Sequence, residues 1–353
     1  MRSVAAAGLA AVAYALASCG APDDLGPALE TTPPAALPSR FYPPEGWTWG
    51  LIQVGDHPPH RYGVAGPRRA SRGHVVILPG LSEPAEKWFE TAAALVAADW
   101  TVWMLDPAGQ GGSARSAAPP DMAHVRNMAV DQAALRHLIV EIIRPMPRER
   151  VAVLAHSLGA ATTLLALADG LPEVDAAVLS APVVATHPDR MPMQAADLLT
   201  VSVWARRLGL GGRYAAGQDG WSSSEVTGPP VTHDPVRARV QTEWMRTNPA
   251  LRIGGVSWAW TAAALAQQQA ARSPATLARV STPVTVLAPA QDAWAAPGSQ
   301  AALCAGLARC SFVPLPDSRH ELHMEVDTIR NRWLAAVLAA AQGAPLSELA
   351  RPR

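Results

Sequence analysis

Ser157 sits in Ala155-His156-Ser157-Leu158-Gly159, where the apolar run 151–154 ends in small residues and opens straight into the helix-forming run 160–167. A tight strand-to-helix turn presents a serine hydroxyl on a strained corner and tolerates only small residues two positions either side. Gly159 meets that demand and Ala155 stands one methyl group away from it. Serine is a weak nucleophile at neutral pH and needs a base, and the base needs an acid that fixes its tautomer. Asp292 follows the apolar run 284–289, and His320 follows the run 311–315. Nucleophile, acid and base thus each stand just past a predicted strand, which puts all three on one edge of a sheet. On the pentapeptide alone, Ser157 also reads as an ordinary helix N-cap. Asp292 and His320 at matching positions favour nucleophilic acyl transfer instead.

An acyl-transfer site also needs donors for the developing oxyanion, usually two backbone N–H groups. Leu158 N–H follows the nucleophile, and Leu81 N–H follows the predicted strand 74–78. Each proposed side chain has rivals. His323 is close enough to His320 to suggest a metal pair, but no cysteine or carboxylate at zinc spacing accompanies them and the His-Glu-x-x-His order is absent. No metal or other cofactor is therefore expected. His156 points away from the nucleophile by turn geometry and reads as a packing or hydrogen-bonding residue. Asp317 lies too near His320, Glu325 reads as a salt-bridge or cap partner, and Asp106 opens a loop that borders the site.

The elements that must position these residues alternate. Short strands at 48–54 and 60–64 read as an antiparallel hairpin, and strand 74–78 is a continuous apolar run of the buried parallel kind. A helix over 83–99, with Trp88, Phe89, Ala92, Leu95 and Val96 on one face, leads to strand 101–105. A helix over 121–143 leads to the strand before Ser157, and strand 176–179 follows. Such alternation predicts an α/β fold with a mostly parallel, doubly wound sheet. It breaks at Ala181 and Pro182 and resumes with strand 284–289, helix 299–307, strand 311–315 and helix 327–342. The core is thus 45–181 with 276–342, and 182–275 is a cap inserted between the sixth and seventh strands. Ligands bind at the carboxyl ends of such strands, under a cap so placed. The cap holds Trp204, Trp221, Trp244, Trp258 and Trp260, which suit either an apolar acyl chain or the cap's own core.

The composition narrows the function classes. A chain of 353 residues with 49% hydrophobic content can bury one large core or two modest ones. Lys plus Arg equals Asp plus Glu at 29 each, so no net field draws nucleic acid. At the amino terminus Arg2 precedes an apolar run at 4–17, too short to span a bilayer comfortably and laid out like a secretory signal. Leu16-Ala17-Ser18-Cys19-Gly20 closes it and resembles a bacterial lipobox. That resemblance implies a signal over 1–19, acylation of Cys19 and membrane attachment through the lipid. With no aspartate at position 20, it also implies the periplasmic face of the outer membrane. A plain cleaved signal would leave the protein periplasmic or secreted. Residues 21–44 carry seven prolines, so 20–44 reads as a semi-rigid tether. Cys304 and Cys310 remain as a pair that either forms a disulfide or stays as two buried thiols, and spacing alone does not choose. The tail 343–353 reads as frayed.

With these motifs in place, the chain resembles the α/β-hydrolase group that includes monoacylglycerol lipases and bacterial lysophospholipase L2. The elbow at 155–159 is similar to that group's, and Leu78-Pro79-Gly80-Leu81 stands where the group has a His-Gly oxyanion segment. Asp106-Pro107-Ala108-Gly109-Gln110-Gly111-Gly112-Ser113 resembles its Asp-His-Arg-Gly-Gln-Gly-x-Ser loop, departing at Pro107 and Ala108. The stretch 249–260 resembles a cap segment of the lysophospholipase L2 branch, and 319–325 resembles the terminal His-Glu-x-x-x-Glu segment. The resemblance implies hydrolysis of a single-acyl lipid ester, a lysophospholipid or monoacylglycerol, through an acyl-enzyme on Ser157. A peptidase of the proline-iminopeptidase type shares the triad. It would need an acidic pair in the cap, where only scattered acids occur (Asp197, Asp219, Glu225, Asp234, Glu243). A catalytically silent envelope lipoprotein is the remaining alternative.

Overall fold

The computed structural model describes residues 26–116, 119–223 and 230–345. The expected signal and Cys19 lie outside these residues.

Eight strands form one sheet: β1 (Thr48–Ile52), β2 (His60–Ala65), β3 (Gly73–Leu78), β4 (Thr101–Leu105), β5 (Arg150–His156), β6 (Ala176–Ser180), β7 (Val284–Pro289) and β8 (Cys310–Leu315). Their order is β1-β2-β4-β3-β5-β6-β7-β8, antiparallel from β1 to β4 and parallel from there on. The helices are α1 (Phe89–Ala97), α2 (Ala129–His137), α3 (Gly159–Ala168), α4 (Ala195–Arg207), α5 (Val240–Thr247), α6 (Trp258–Ala271), α7 (Pro274–Leu277), α8 (Ser299–Ala305) and α9 (Asp327–Gln342). The central strands are apolar throughout because helices cover both faces. Val76, Val153, Leu179 and Val286 pack under α2 and α3, while Val75, Ala152, Val178 and Leu287 pack under α1 and α9. The period-two alternation of a strand assigns neighbouring residues to opposite layers. Among the described residues no helix is long and apolar enough to cross a membrane.

The segment between β6 and β7 carries α4, α5, α6 and α7. It packs in a core that it shares with the rest of the chain, in which Trp244, Met245 and Leu251 meet Phe89 of α1 and Phe41. The tryptophans divide accordingly: Trp244 is cap core, Trp204 is exposed, and Trp260 borders the pocket described below.

Three expectations are corrected. The helix expected over 121–143 begins at Ala129 and ends in a π-helical turn, Leu138–Ile143. Residues 121–123 pair with the cap instead: Ala123 N–H donates to Gly255 O, and Ser257 N–H donates to Ala123 O. Backbone groups used that way cannot close helical turns. The helix expected over 83–99 is a 3-10 turn, Ala85–Trp88, followed by α1. The described part of the expected tether is no free spacer. Leu37 and Phe41 are buried, Ala28 N–H donates to Gly112 O, and Arg61 donates to Ala28 O.

Cys304 and Cys310 are disulfide-bonded, with 5.4 Å between their Cα atoms, tying the end of α8 to the start of β8.

Candidate active site

β5 runs into α3 through Ser157, whose φ of 52° is the left-handed strain expected of a serine held on a tight corner. The corner is fixed on both sides, Ser157 N–H donating to Ser180 O and Val183 N–H donating to Ser157 O. Gly159 is required by close approach: a Cβ there would lie 2.7 Å from both Leu78 O and Pro79 O. Gly80 is required in the same way, since its Cβ would lie 2.9 Å from the Ser157 Cβ. The 78–81 loop and the elbow therefore touch backbone to backbone.

His320 reaches the elbow from the loop after β8. Its Nε2 lies 3.1 Å from Ser157 Oγ, and its Nδ1 lies 2.9 Å from Asp292 Oδ1. An ionised carboxylate only accepts, so Nδ1 carries the hydrogen and Nε2 is free to accept the serine proton. Asp292 Oδ1 also accepts from Trp294 N–H and Ala295 N–H, and Oδ2 accepts from Gln300. Burial by itself would raise the Asp292 pKa, but the hydrogen bond and charge of His320 and the two amides outweigh it and hold the carboxyl below its ordinary value. Gln291 N–H donates to Ser318 O, so the acid loop and the base loop are tied together. Glu325 is buried and braces the base loop by accepting from Arg319 N–H and from His233 of the cap segment. Asp317 is exposed and takes no part.

Leu81 and Leu158 both line a pocket whose wall continues through Leu78, Pro107, Met128 and Trp260. Among the described residues neither Leu81 N–H nor Leu158 N–H donates to another group. The sequence-predicted serine, acid and base are thus brought together, and the two amide donors lie in residues that line a mostly apolar pocket next to the elbow. The loop that Asp106 opens lines that pocket through Pro107 and Gln110, while Asp106 itself is bound into a buried ion pair with Arg61, which also forks onto Glu86.

A second cluster went unread in the sequence. Glu83 is buried, and its Oε2 accepts from Gly80 N–H at 2.7 Å and from His156 Nδ1 at 2.9 Å. Its Oε1 accepts from Lys87 Nζ at 2.7 Å, and Lys87 also donates to Glu321 at 2.6 Å and to Gln241 of α5 at 2.9 Å. Burial opposes every one of these charges. The cations of His156 and Lys87 nonetheless hold Glu83 well below its ordinary value, and the carboxylates hold Lys87 and His156 above theirs. Glu83, Glu321 and His323 offer ligand atoms within 4.8 Å of one another, but the ammonium of Lys87 already bonds both carboxylates there. His323 stacks flat on Trp88 with centroids 3.7 Å apart, and burial holds its pKa well below the usual histidine value. The signal in the sequence was a Glu and a Lys four apart on a face otherwise given to Trp88 and Phe89.

Comparison with known proteins identifies the family and the fold. A family model described as "Serine aminopeptidase, S33" matches residues 69–327. The probable lysophospholipase L2 of Haemophilus influenzae is 25% identical over 276 residues, covering 77% of this chain and 84% of that one. Lysophospholipase L2 of Escherichia coli K12 is 32% identical over 189 residues, covering 53% of this chain and 54% of that one. Among solved structures, a soluble variant of monoglyceride lipase from Saccharomyces cerevisiae shares the fold with a TM-score of 0.64 at 14% identity, covering 84% of this chain and 95% of that one. The chain belongs to the serine aminopeptidase S33 family of α/β-hydrolases, in the serine hydrolase group that includes lysophospholipase L2 and monoacylglycerol lipase.

Proposed function

We propose that the protein hydrolyses single-acyl lipid esters, lysophospholipids or monoacylglycerols, through an acyl-enzyme on Ser157. The observation that carries this reading is the hydrogen-bonded chain from Ser157 Oγ through His320 to Asp292, beside two uncommitted amides and an apolar pocket. His320 Nε2 takes the Ser157 proton as Oγ attacks the ester carbonyl, and Asp292 steadies the imidazolium so formed. Leu81 and Leu158 N–H groups receive the oxyanion. His320 then returns its proton to the departing alcohol. Water, deprotonated by His320, releases the fatty acid and frees the serine. Leu78, Met128, Leu158 and Trp260 offer apolar surface next to the serine against which an acyl chain would pack. Support for the substrate class comes from the lysophospholipase relatives.

The peptidase reading finds less support. Asp234 is bound to Arg237, Glu243 is paired with Arg246, Asp197 and Asp219 are exposed, and Glu225 lies outside the described residues. The expected lipid anchor at Cys19, on the periplasmic face of the outer membrane, belongs to the same proposal and would hold the site near its substrate. Loss of fatty-acid labelling on Cys19→Ser in cells is its test.

The deciding experiment is hydrolysis by the full chain in detergent of p-nitrophenyl esters, lysophosphatidylcholine, monoacylglycerol and a prolyl-naphthylamide, with Ser157→Ala as control. Ester turnover lost in the variant and preferring a single-acyl lipid is the expected result. Turnover of the amide alone would make the protein a peptidase. A folded protein inert to every substrate and to a fluorophosphonate would make it a scaffold.

A further inference from the structure

The buried ion cluster behind the elbow has no part in the proton transfers above, yet it touches three of the segments that build the site. His156 Nδ1 faces the Glu83 carboxylate, and its Nε2 lies 3.3 Å from the backbone O of His320. Neither partner can donate, so the ring donates at both nitrogens and carries a positive charge. With Lys87 it balances the negative charges of Glu83 and Glu321. A closed, neutral cluster is one a protein interior can hold without leaving a charge unpaired. Three attachments lead out of it. Glu83 accepts Gly80 N–H, His156 reaches the backbone of the base, and Lys87 reaches Gln241 in the cap. The loop it holds is strained: Ser82 has a φ of 65°, and its N–H is taken by Gln110.

We propose that Glu83 is a positioning residue for the oxyanion amide: by accepting Gly80 N–H, its carboxylate pins the Pro79–Gly80 peptide beside Ser157, and so fixes the setting of the next peptide, in which Leu81 N–H stays turned to the reacting carbonyl. The proposal rests on the ester-hydrolase reading above. Without that bond the Gly80 amide is a buried donor with no acceptor, and the loop turns to satisfy it. The substrate still enters the pocket, so binding survives while the transition state loses a donor.

The test compares Glu83→Asp and Glu83→Gln with the native full chain. The aspartate keeps the charge for Lys87 and His156 but withdraws the carboxylate from Gly80 N–H. The glutamine keeps an acceptor at full reach and drops the charge. The measurements are kcat and KM on a p-nitrophenyl ester and the inhibition constant of an alkylboronic acid, whose adduct with Ser157 places an oxygen in the oxyanion position. Loss of one such donor typically costs about 10²–10³-fold in kcat, so a partial withdrawal is expected to cost at least about tenfold. We expect that loss in Glu83→Asp, with KM nearly unchanged and boronate affinity falling in step, while Glu83→Gln keeps most of both. A Glu83→Asp variant with undiminished kcat overturns the proposal, as does lost kcat with native boronate affinity. A glutamine variant as impaired as the aspartate overturns it too, by assigning the effect to charge. If the native chain neither turns over an ester nor reacts with a fluorophosphonate, the hydrolase reading itself has failed. An active native chain with an undiminished Glu83→Asp variant fails this inference alone.

Discussion

Replacing Asp292 by asparagine separates the charge of the triad's acid from its grip on the histidine tautomer. In this site the oxygen bonded to His320 is the same Oδ1 that accepts Trp294 N–H at 2.8 Å and Ala295 N–H at 3.1 Å. An asparagine that turned its NH2 to that side would leave both amides without an acceptor, a cost of about 1–3 kcal/mol each. Turned the other way, its NH2 meets Gln300, whose own amide can rotate to offer oxygen. The carbonyl therefore stays on His320 Nδ1, and the productive tautomer survives. What remains is the lost charge. Exchanging a charged for a neutral hydrogen bond costs about 1–2 kcal/mol. The full Coulomb term for an imidazolium about 4 Å away, at an effective dielectric of about 20, is about 4 kcal/mol. The expected fall in kcat on a p-nitrophenyl ester is thus between about 5-fold and 10³-fold. Exchange that strands the histidine in the wrong tautomer costs about 10⁴-fold. Steady-state kcat for Asp292→Asn beside Asp292→Ala reads the difference. An asparagine variant no better than the alanine one, or down by 10⁴-fold, would refute the reasoning.

Lys87→Met strips the cation from the buried carboxylate of Glu83 and the half-buried one of Glu321, which costs about 3–5 kcal/mol for a broken buried pair, and urea unfolding of the variant is expected to show it. Stability should also depend on pH in a definite way. Asp292 and Glu83 are held below their ordinary values, so their contribution is complete above about pH 4.3, where unfolded carboxyls are ionised, and is lost as pH falls through the folded values. His156 is held above its ordinary value, so its contribution is complete below about pH 6.5 and is lost as pH rises through the folded value. A urea series is expected to show greatest stability between those limits, and a Glu83→Gln variant whose acid limb is as steep as the native one would contradict it. Reducing the Cys304 to Cys310 bridge, which spans a separation of 6 residues, is expected to lower stability by about 2 kcal/mol through loop entropy. It should leave kcat unchanged, since the bridge holds the start of β8, at the opposite end of that strand from the loop that carries His320.

The strands and the elbow were legible because they are local. A continuous apolar run of five or six residues reads as a buried parallel strand whatever surrounds it, and β7 and α9 fall where their residues indicate. The misread helix at 121–128 shows the opposite case. Its residues suit a helix by themselves, but Ala123 finds its partners in Gly255 and Ser257, far along the chain. Residues 26–44 look like a spacer until Leu37 and Phe41 meet the cap's core.

By itself, the sequence determined the order serine, acid, base and the strand end on which each stands. In a parallel sheet every carboxyl end faces the same edge, so three such residues converge whatever the rest of the chain does. Only the tertiary structure decided what surrounds them. Lys87 and Glu321 are 234 positions apart and Glu83 and His156 are 73 apart, yet they share one buried cluster. A charge is tolerable in an apolar interior only beside its counter-charge, and no local pattern records which distant residue will supply it.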